Sequence, residues 1–240
     1  MSDVNNQLIL VAGYSASGKS ASLMNIKNPQ KWLYLNCEGK NLPFRSKFQE
    51  YKITDPYQVF EAFDYGTENA DVEGIIIDSL TYLMDMFEIQ YVTSASDTRK
   101  AWQEYGNFFR TLMLDKVVKF GKNTIFLAHT LDMYDENSLM VKTYVPIKGS
   151  LKNQGVESFF SVVLATKKVA LKDLKNYDND LLHVTPDDEI VGFKYVFQTR
   201  LTKDSLGERI RGPLGLWNQK ETFIDNDCQQ VLDHLKNFYN

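Results

Sequence analysis

The sequence predicts an α/β fold, a mostly parallel β-sheet flanked by helices with an antiparallel extension toward the C-terminus. Strand-like and helix-like segments alternate along the first 130 residues. Several of these strands are continuous apolar runs, which are typical of parallel strands covered on both faces. Beyond residue 130 the segments are rich in β-branched and aromatic residues and indicate further strands. We expect residues 1–240 to form a single domain.

Each element is predicted from a local pattern. Apolar runs indicate strands at residues 7–12, 31–37, 73–79 and 123–130. Helical periodicity indicates helices at residues 19–26, 57–65, 80–92, 99–119 and 228–238. The tripeptide NPQ at residues 28–30 ends the first helix. The β-rich segments of the second half lie at residues 139–147, 159–171 and 191–201.

The composition limits the classes of function. With 43% hydrophobic and 24% charged residues, the chain has the composition of a folded soluble protein. A net charge of −4 argues against a uniformly basic surface, although seven lysines and two acidic residues lie between Lys142 and Lys175. We find no export signal and no apolar run long enough to span a bilayer, so we expect a cytoplasmic protein (in the host cell, if a phage encodes it) without a membrane partner. Cys37 and Cys228 are then expected to be thiols rather than a disulfide.

Residues 13–20 read GYSASGKS and fit the pattern G-x-x-x-x-G-K-[ST] between a predicted strand and a predicted helix. In such a P-loop, backbone N–H groups and the helix N-terminus bind phosphates. Lys19 would contact the β- and γ-phosphates of ATP, and the Ser20 hydroxyl would ligate Mg²⁺. A tight strand-to-helix turn is the alternative. The expected nucleotide-binding residues are Gly13, Tyr14, Ser15, Ala16, Ser17, Gly18, Lys19, Ser20 and Ala21.

Three polar residues at strand ends could complete this site. Asp78 ends the run IIID, where it could hold Mg²⁺ through water or cap the next helix, and Ser79 could cap that helix or support the site. Glu38 follows the second strand and would face the γ-phosphate as the group that polarises water, unless it is a solvated turn residue. His129 ends the strand TIFLAH, where it could sense the γ-phosphate or be merely structural.

The segments GYSASGKS, LYLNCEGKN, GIIIDS and TIFLAHT together resemble the core of RecA-like ATPases. In particular, they resemble the short phage RecA-like ATPases that act in single-strand annealing or recombination. The resemblance extends over about residues 5–215 and implies a RecA-like P-loop NTPase core. It also implies that Glu38 is the catalytic glutamate, Asp78 the Walker B aspartate and His129 the γ-phosphate sensor. A glutamate at the end of the neighbouring strand distinguishes RecA-like ATPases from kinases and GTPases.

The resemblance further implies two DNA-binding loops, at residues 93–100 and at about 130–150. Basic and aromatic side chains in these loops fit phosphate contacts and base stacking with single-stranded DNA. The candidates are Arg99 and Lys100 in the first loop, and Lys142, Tyr144, Lys148 and Lys152 in or beside the second.

Residues 199–212, TRLTKDSLGERIRG, resemble the segment through which a RecA-like protein offers a cation to its neighbour's nucleotide. The candidates are Lys203, Arg209 and Arg211. Such contacts stabilise charge on the γ-phosphate and make hydrolysis depend on assembly, so a homo-oligomeric ring or filament is expected. A charged hairpin turn with solvated ends is the alternative reading.

The chain also departs from larger recombinases, since the sequence shows no separate N-terminal domain and little basic charge in its loops. Annealing or loading beside a single-strand-binding protein is therefore expected rather than strong strand exchange. A helicase loader or replication accessory ATPase that works through protein contacts is the main alternative. A nucleotide kinase is disfavoured by Glu38 and by the absence of an Arg-rich lid, and a module that binds ATP without hydrolysing it stays open.

Overall fold

A computed structural model describes residues 4–239 and contains ten strands within that range. They are Leu8–Gly13 (β1), Trp32–Asn36 (β2), Gln49–Lys52 (β3), Gly74–Asp78 (β4), Asn123–His129 (β5), Leu131–Asp135 (β6), Met140–Tyr144 (β7), Val162–Ala170 (β8), Phe193–Gln198 (β9) and Phe223–Asp225 (β10). Eight of them form one sheet in the order β10-β9-β8-β1-β5-β4-β2-β3, and β6 and β7 form a separate hairpin.

Helices cover both faces of this sheet. The α-helices are Gln58–Glu68 (α1), Leu80–Phe87 (α2), Thr98–Thr111 (α3), Val117–Phe120 (α4), Leu151–Gln154 (α5), Leu171–Leu174 (α6), Pro186–Val191 (α7) and Cys228–Tyr239 (α8). Two π-helical segments, Glu88–Val92 and Leu112–Lys116, continue α2 and α3 without a break. Short 3-10 turns lie at Ser20–Leu23, Pro29–Lys31, Val156–Phe159, Lys175–Tyr177 and Lys220–Thr222.

The predicted fold class is confirmed. Strands β3, β2, β4, β5, β1 and β8 run parallel, whereas β9 and β10 add the antiparallel extension. The strands β1, β2 and β4 are buried along their whole length, as their continuous apolar runs predicted. The helices predicted at residues 80–92, 99–119 and 228–238 are also present.

The helix predicted at residues 19–26 is wrong, because only one 3-10 turn, Ser20–Leu23, forms there. The Ser22 hydroxyl donates to the Lys19 carbonyl (2.5 Å), and serines that bond the backbone locally compete with an α-helix. Asn25 then donates to Asp227 (2.7 Å), and the Lys27 N–H donates to the Gln229 side chain (2.9 Å). The segment is therefore held by the α8 region rather than by helical hydrogen bonds.

The sheet separates two hydrophobic cores. On one face, Phe63, Phe87 and Phe109 from α1, α2 and α3 pack with Ile75 of β4. On the other face, α8 and the segment after β1 pack against β2, β5 and β9. No helix within residues 4–239 is both long and apolar enough to cross a membrane.

Gly74 in β4 is opposite Trp32 in β2, and both are buried. A Cβ at Gly74 would lie 2.4 Å from ring atoms of Trp32, and this buried ring cannot move aside freely. We expect Gly74→Ala to lower the free energy of unfolding by about 1–3 kcal/mol, measured by urea denaturation. The loss should shrink in a Trp32→Leu background, and an equal loss in both backgrounds would contradict this packing explanation.

Candidate active site

The parallel strands bring the predicted site residues to one edge of the sheet. Gly13 at the end of β1 pairs in register with His129 at the end of β5, and Asn36 at the end of β2 pairs with Asp78 of β4. Glu38 follows two residues after β2. Ligands bind at the carboxyl ends of parallel strands in such sheets. A cavity of about 450 Å³ lies here, lined by Ser15, Ala16, Gly18, Lys19, Ser20, Ala21, Glu38, Lys40, Pro43, His129, Tyr195 and Asn226.

The conformation of the P-loop depends on glycine at two positions. Gly18 has a φ of +99°, and a Cβ there would lie 2.8 Å from the Asn226 amide nitrogen. A Cβ at Gly13 would lie 2.1 Å from the Thr166 hydroxyl oxygen. The Asn226 side chain donates to the Gly18 carbonyl (2.8 Å), and the Ser17 and Thr166 hydroxyls are hydrogen bonded. Contacts from β8 and from the segment before α8 therefore fix the loop.

Lys19 lies across the P-loop. Its Nζ donates to the carbonyls of Gly13 (3.0 Å) and Tyr14 (2.8 Å) and lies 3.4 Å from the Nδ1 of His129. Burial lowers the pKa of Lys19 to about 8, although the nearby carboxylates of Glu38 and Asp78 oppose that change. A buried ammonium of this kind favours an anionic ligand. Since only one 3-10 turn follows the loop, phosphate binding here depends on N–H groups and Lys19 more than on a long helix dipole.

Asp78 is 5% exposed and accepts hydrogen bonds from two hydroxyls. Ser20 Oγ and Tyr34 OH each donate to Asp78 Oδ2 over 2.9 Å. Burial raises the pKa of Asp78 against the effect of these hydrogen bonds, so its charged form favours a nearby cation.

The oxygen donors at this point fit Mg²⁺. Mg²⁺ in nucleotide sites takes one or two protein oxygens together with waters and phosphates, and the Ser20 hydroxyl and Asp78 carboxylate supply such donors. In residues 4–239 no group of three His, Cys, Asp or Glu side chains is placed to hold a metal ion. When bound, Mg²⁺ would neutralise charge on the β- and γ-phosphates.

Glu38 is enclosed by hydrogen-bond donors. Its Oε1 lies 2.8 Å from His129 Nε2 and accepts from Ser79 Oγ (2.9 Å), and Lys40 donates to its Oε2 (3.2 Å). Burial raises the pKa of Glu38, but the hydrogen bonds from His129, Ser79 and Lys40 outweigh it and leave the pKa at about 2. The group is thus a carboxylate at neutral pH, as a residue that orients and deprotonates water must be. Ser79, at the start of α2, supports Glu38 and makes no side-chain cap to its helix.

The expected DNA-binding residues lie in four structural settings, namely α3, β7, the segment after β7 and α5. Arg99 and Lys100 lie in the first turn of α3 instead of in a loop, because Asp97 caps that helix by accepting from the Lys100 N–H (3.0 Å). Lys142 is in β7 and pairs with Asp135 across the hairpin. Lys148 pairs with Glu88 (2.7 Å), and Tyr144 lies under the Arg209 guanidinium. Lys152 is exposed in α5.

The three candidates for contact with a neighbour's nucleotide differ in freedom. All three are exposed, but Arg209 also has partners. The Arg209 guanidinium donates to the buried Glu157 (2.7 Å) and lies 5.9 Å from the centre of the Tyr144 ring. A turn forms at Ser205–Glu208, where the Glu208 N–H donates to the Ser205 carbonyl (3.0 Å), and Glu208 and Arg211 then bridge to Thr143 of β7 and Val163 of β8.

Sequence patterns did not point to four residues of the site. Tyr34 lies within a buried apolar strand, so the sequence pattern does not distinguish it from an aromatic residue of the core or indicate that its hydroxyl bonds to Asp78. Asn226 lies 208 residues after Gly18, and Tyr195 is also distant in sequence; both approach the P-loop only through the sheet extension. Lys40 lies in the polar run EGKN, and its position two residues after Glu38 was the one local signal available.

A sequence model of the family described as an AAA domain matches residues 5–191. The matched range covers most of the chain and includes the P-loop, Glu38, Asp78 and His129. It ends before the segment 199–212. No curated protein matches the chain.

The hydrogen bonds to Glu38 predict a pH dependence of stability. Because its folded pKa of about 2 lies below its ordinary 4.5, the stabilisation is present above pH 4.5 and is lost as the pH falls toward 2. We expect Glu38→Gln to be less stable than wild type at pH 7 by about 1–2 kcal/mol, discounted for partial solvent screening. Urea denaturation between pH 7 and pH 2.5, without added nucleotide, should show this difference narrowing. A difference that is constant with pH would contradict it.

The hydrogen bond from Tyr34 to Asp78 predicts that Tyr34→Phe will need more Mg²⁺ for ATP hydrolysis. Tyr34→Phe removes a hydrogen bond to Asp78 Oδ2 and keeps the packing of the ring, so the carboxylate is oriented less well. We expect the Mg²⁺ concentration that half-saturates ATP hydrolysis to rise about tenfold, in a titration at fixed ATP. Tyr51→Phe, at an exposed position of edge strand β3, is the matched control. The same half-saturating Mg²⁺ concentration for both variants would show that Tyr34 has no such role.

Proposed function

The chain belongs to the AAA domain family of P-loop nucleotide-binding ATPases, and we propose that it couples ATP hydrolysis to single-stranded DNA in phage recombination or annealing. Residues 1–240 act as one RecA-like ATPase domain in this proposal. Lys19 and the P-loop hold the triphosphate, Ser20 and Asp78 hold Mg²⁺, and Glu38 takes a proton from the attacking water.

The observation that carries the proposal is the direct link between the phosphate site and the β6–β7 hairpin. His129, which contacts both Glu38 and Lys19, is followed after one residue by β6. Tyr14 of the P-loop also donates from its hydroxyl to Asp132 in β6 (2.6 Å). A change at the γ-phosphate therefore reaches the hairpin both along the chain and through a side chain, as a DNA-stimulated ATPase requires.

Basic groups near the hairpin support single-stranded DNA as the ligand. Gly149 lies against Trp102 of α3, so the segment after β7 and the first turns of α3 adjoin. Arg99, Lys100 and Lys148 are then on neighbouring elements, and backbone phosphates attract such groups. A single-strand-binding protein is a plausible partner for loading. In an assembly, Lys203, Arg209 or Arg211 would contact the neighbour's γ-phosphate.

Two observations favour the alternative, a helicase loader or replication accessory ATPase. Lys142 and Lys148 are paired with Asp135 and Glu88, which weakens their attraction for phosphates. The hairpin also exposes several large apolar side chains, a feature of protein contact surfaces. They are Leu131, Met133, Tyr134, Leu139 and Val141.

Steady-state ATP hydrolysis with and without single-stranded DNA tests the proposal. We expect DNA to raise kcat by at least about tenfold, since loop contacts to DNA would order the sensor end of β5. Lys19→Ala should lose ATP binding, whereas Glu38→Gln should bind ATP and lose hydrolysis. Double-stranded DNA is the control for strand state. Hydrolysis that does not respond to DNA would favour the loader alternative, and full activity of Glu38→Gln would overturn the role of Glu38.

A further inference from the structure

Lys40, whose ammonium donates to Glu38, lines the same cavity as the P-loop. Its side chain is 67% exposed, and its Nζ lies 3.2 Å from Glu38 Oε2. It also lies 5.5 Å from the centre of the Tyr82 ring, which contacts the His129 ring at 5.8 Å. Lys40 is thus the second lysine of the cavity, on the side of Glu38 and His129 rather than within the P-loop.

The backbone of Lys40 is fixed although its side chain is exposed. The buried Asn36 amide donates to the Lys40 carbonyl (2.9 Å) and accepts from the Gly39 N–H (2.8 Å). Gly39 has a φ of +67°, which lets the chain turn directly after Glu38. A buried side chain therefore sets the point from which Lys40 extends, while the aliphatic stem and ammonium can rotate within the cavity.

The ion pair with Glu38 does not hold Lys40 strongly. Exposed lysine–carboxylate pairs contribute little, because solvent screens them and two flexible side chains must be ordered. A triphosphate carries several charges, and a lysine bound as a point charge can follow them as they shift. Lys40 also lies close enough to Lys19 to lower the pKa of that group, which places both ammonium groups in one electrostatic field.

We propose that Lys40 is a catalytic residue. When ATP binds, the Lys40 ammonium leaves Glu38 and contacts the γ-phosphate of the ATP in its own subunit. The proposal rests on the ATP hydrolysis of the proposed function. Water attacks the γ-phosphorus, and the bond to the β–γ bridging oxygen breaks with its electron pair left on ADP. The proton of the water passes to Glu38. Lys40 keeps its own protons, neutralises charge on the γ-phosphate oxygens, and frees Glu38 Oε2 to accept the proton.

This role distinguishes Lys40 from the expected cations of residues 199–212. Those would come from a neighbouring subunit, so their effect would depend on assembly and on protein concentration. Lys40 acts in every subunit, since its tether through Asn36 and Gly39 is internal. Basal hydrolysis by dilute protein would therefore depend on Lys40.

The test compares wild type, Lys40→Ala and Lys40→Gln with the control Lys47→Ala. Lys47 is an exposed lysine of the same loop that lines a different cavity, beside Met24 and Phe48. We expect Lys40→Ala to lower kcat about 10²–10³-fold, the effect of removing one group that stabilises transition-state charge. The dissociation constant for ADP should stay within about twofold of wild type, while binding of ADP with aluminium fluoride, which mimics the transferring phosphoryl group, should weaken by a factor close to that in kcat.

The outcomes separate the two proposals. Wild-type kcat in Lys40→Ala, with an active wild type, would overturn the role of Lys40 alone. An equal loss of affinity for ADP and for ADP with aluminium fluoride would also overturn it, because Lys40 would then only bind the ground state. No hydrolysis by wild type, with or without DNA, would overturn the proposed function and this role together. Unchanged thermal unfolding of the variants would support a direct effect on catalysis.

Discussion

The hydrogen-bond register of four parallel strands determines where the strand-end groups of the site lie. Gly13 of β1 pairs with His129 of β5, and Asn36 of β2 pairs with Asp78 of β4. Side chains alternate between the two faces of a strand, so a slip of one residue would turn each of these groups to the opposite face. The two hydrophobic cores oppose such a slip, since each is packed around side chains of particular size, such as Trp32 against Gly74, which would have to exchange faces. The packing of the core and the geometry of the site are therefore one constraint.

Within this frame the charged groups stabilise each other only in part. Lys19 and Asp78 are buried, and burial lowers the pKa of the first and raises that of the second. Both shifts mean that the protein solvates these charges less well than water does. A magnesium ion beside Asp78 and a phosphate beside Lys19 would offset that cost, so the site is electrostatically complementary to a magnesium–nucleotide complex. Glu38 differs, because its donors outweigh its burial.

The part of the site that could be predicted from sequence is the part set by local pattern. The P-loop, Asp78, Glu38 and His129 each follow a recognisable apolar strand, and parallel strands bring such ends together. The helix at residues 19–26 could not be excluded, because the contacts of Asn25 and Lys27 with residues near α8 are long-range. Edge strand β3 has the sequence QEYK and no apolar run, because it is hydrogen bonded to β2 along one edge only. Tyr34 and Asn226 reach the site through tertiary packing, and the periodicity of apolar residues in the sequence does not indicate such contacts.

The junction between His129 and the hairpin is the place where either proposed partner would act on the site. Thr130 donates its N–H to the Gly13 carbonyl (3.2 Å), so the chain leaves β5 while still bonded to the P-loop. Tyr14 and Asp132 add a second contact a few residues later. A ligand that moves the hairpin would displace both contacts. Because Lys19 bonds the Gly13 and Tyr14 carbonyls, that displacement would reach Lys19. The coupling depends on the position of the hairpin and not on the chemistry of what binds it. Under the proposed function, either single-stranded DNA or a protein surface would act on the ATPase core through these contacts, and the exposed side chains of the hairpin would select between them.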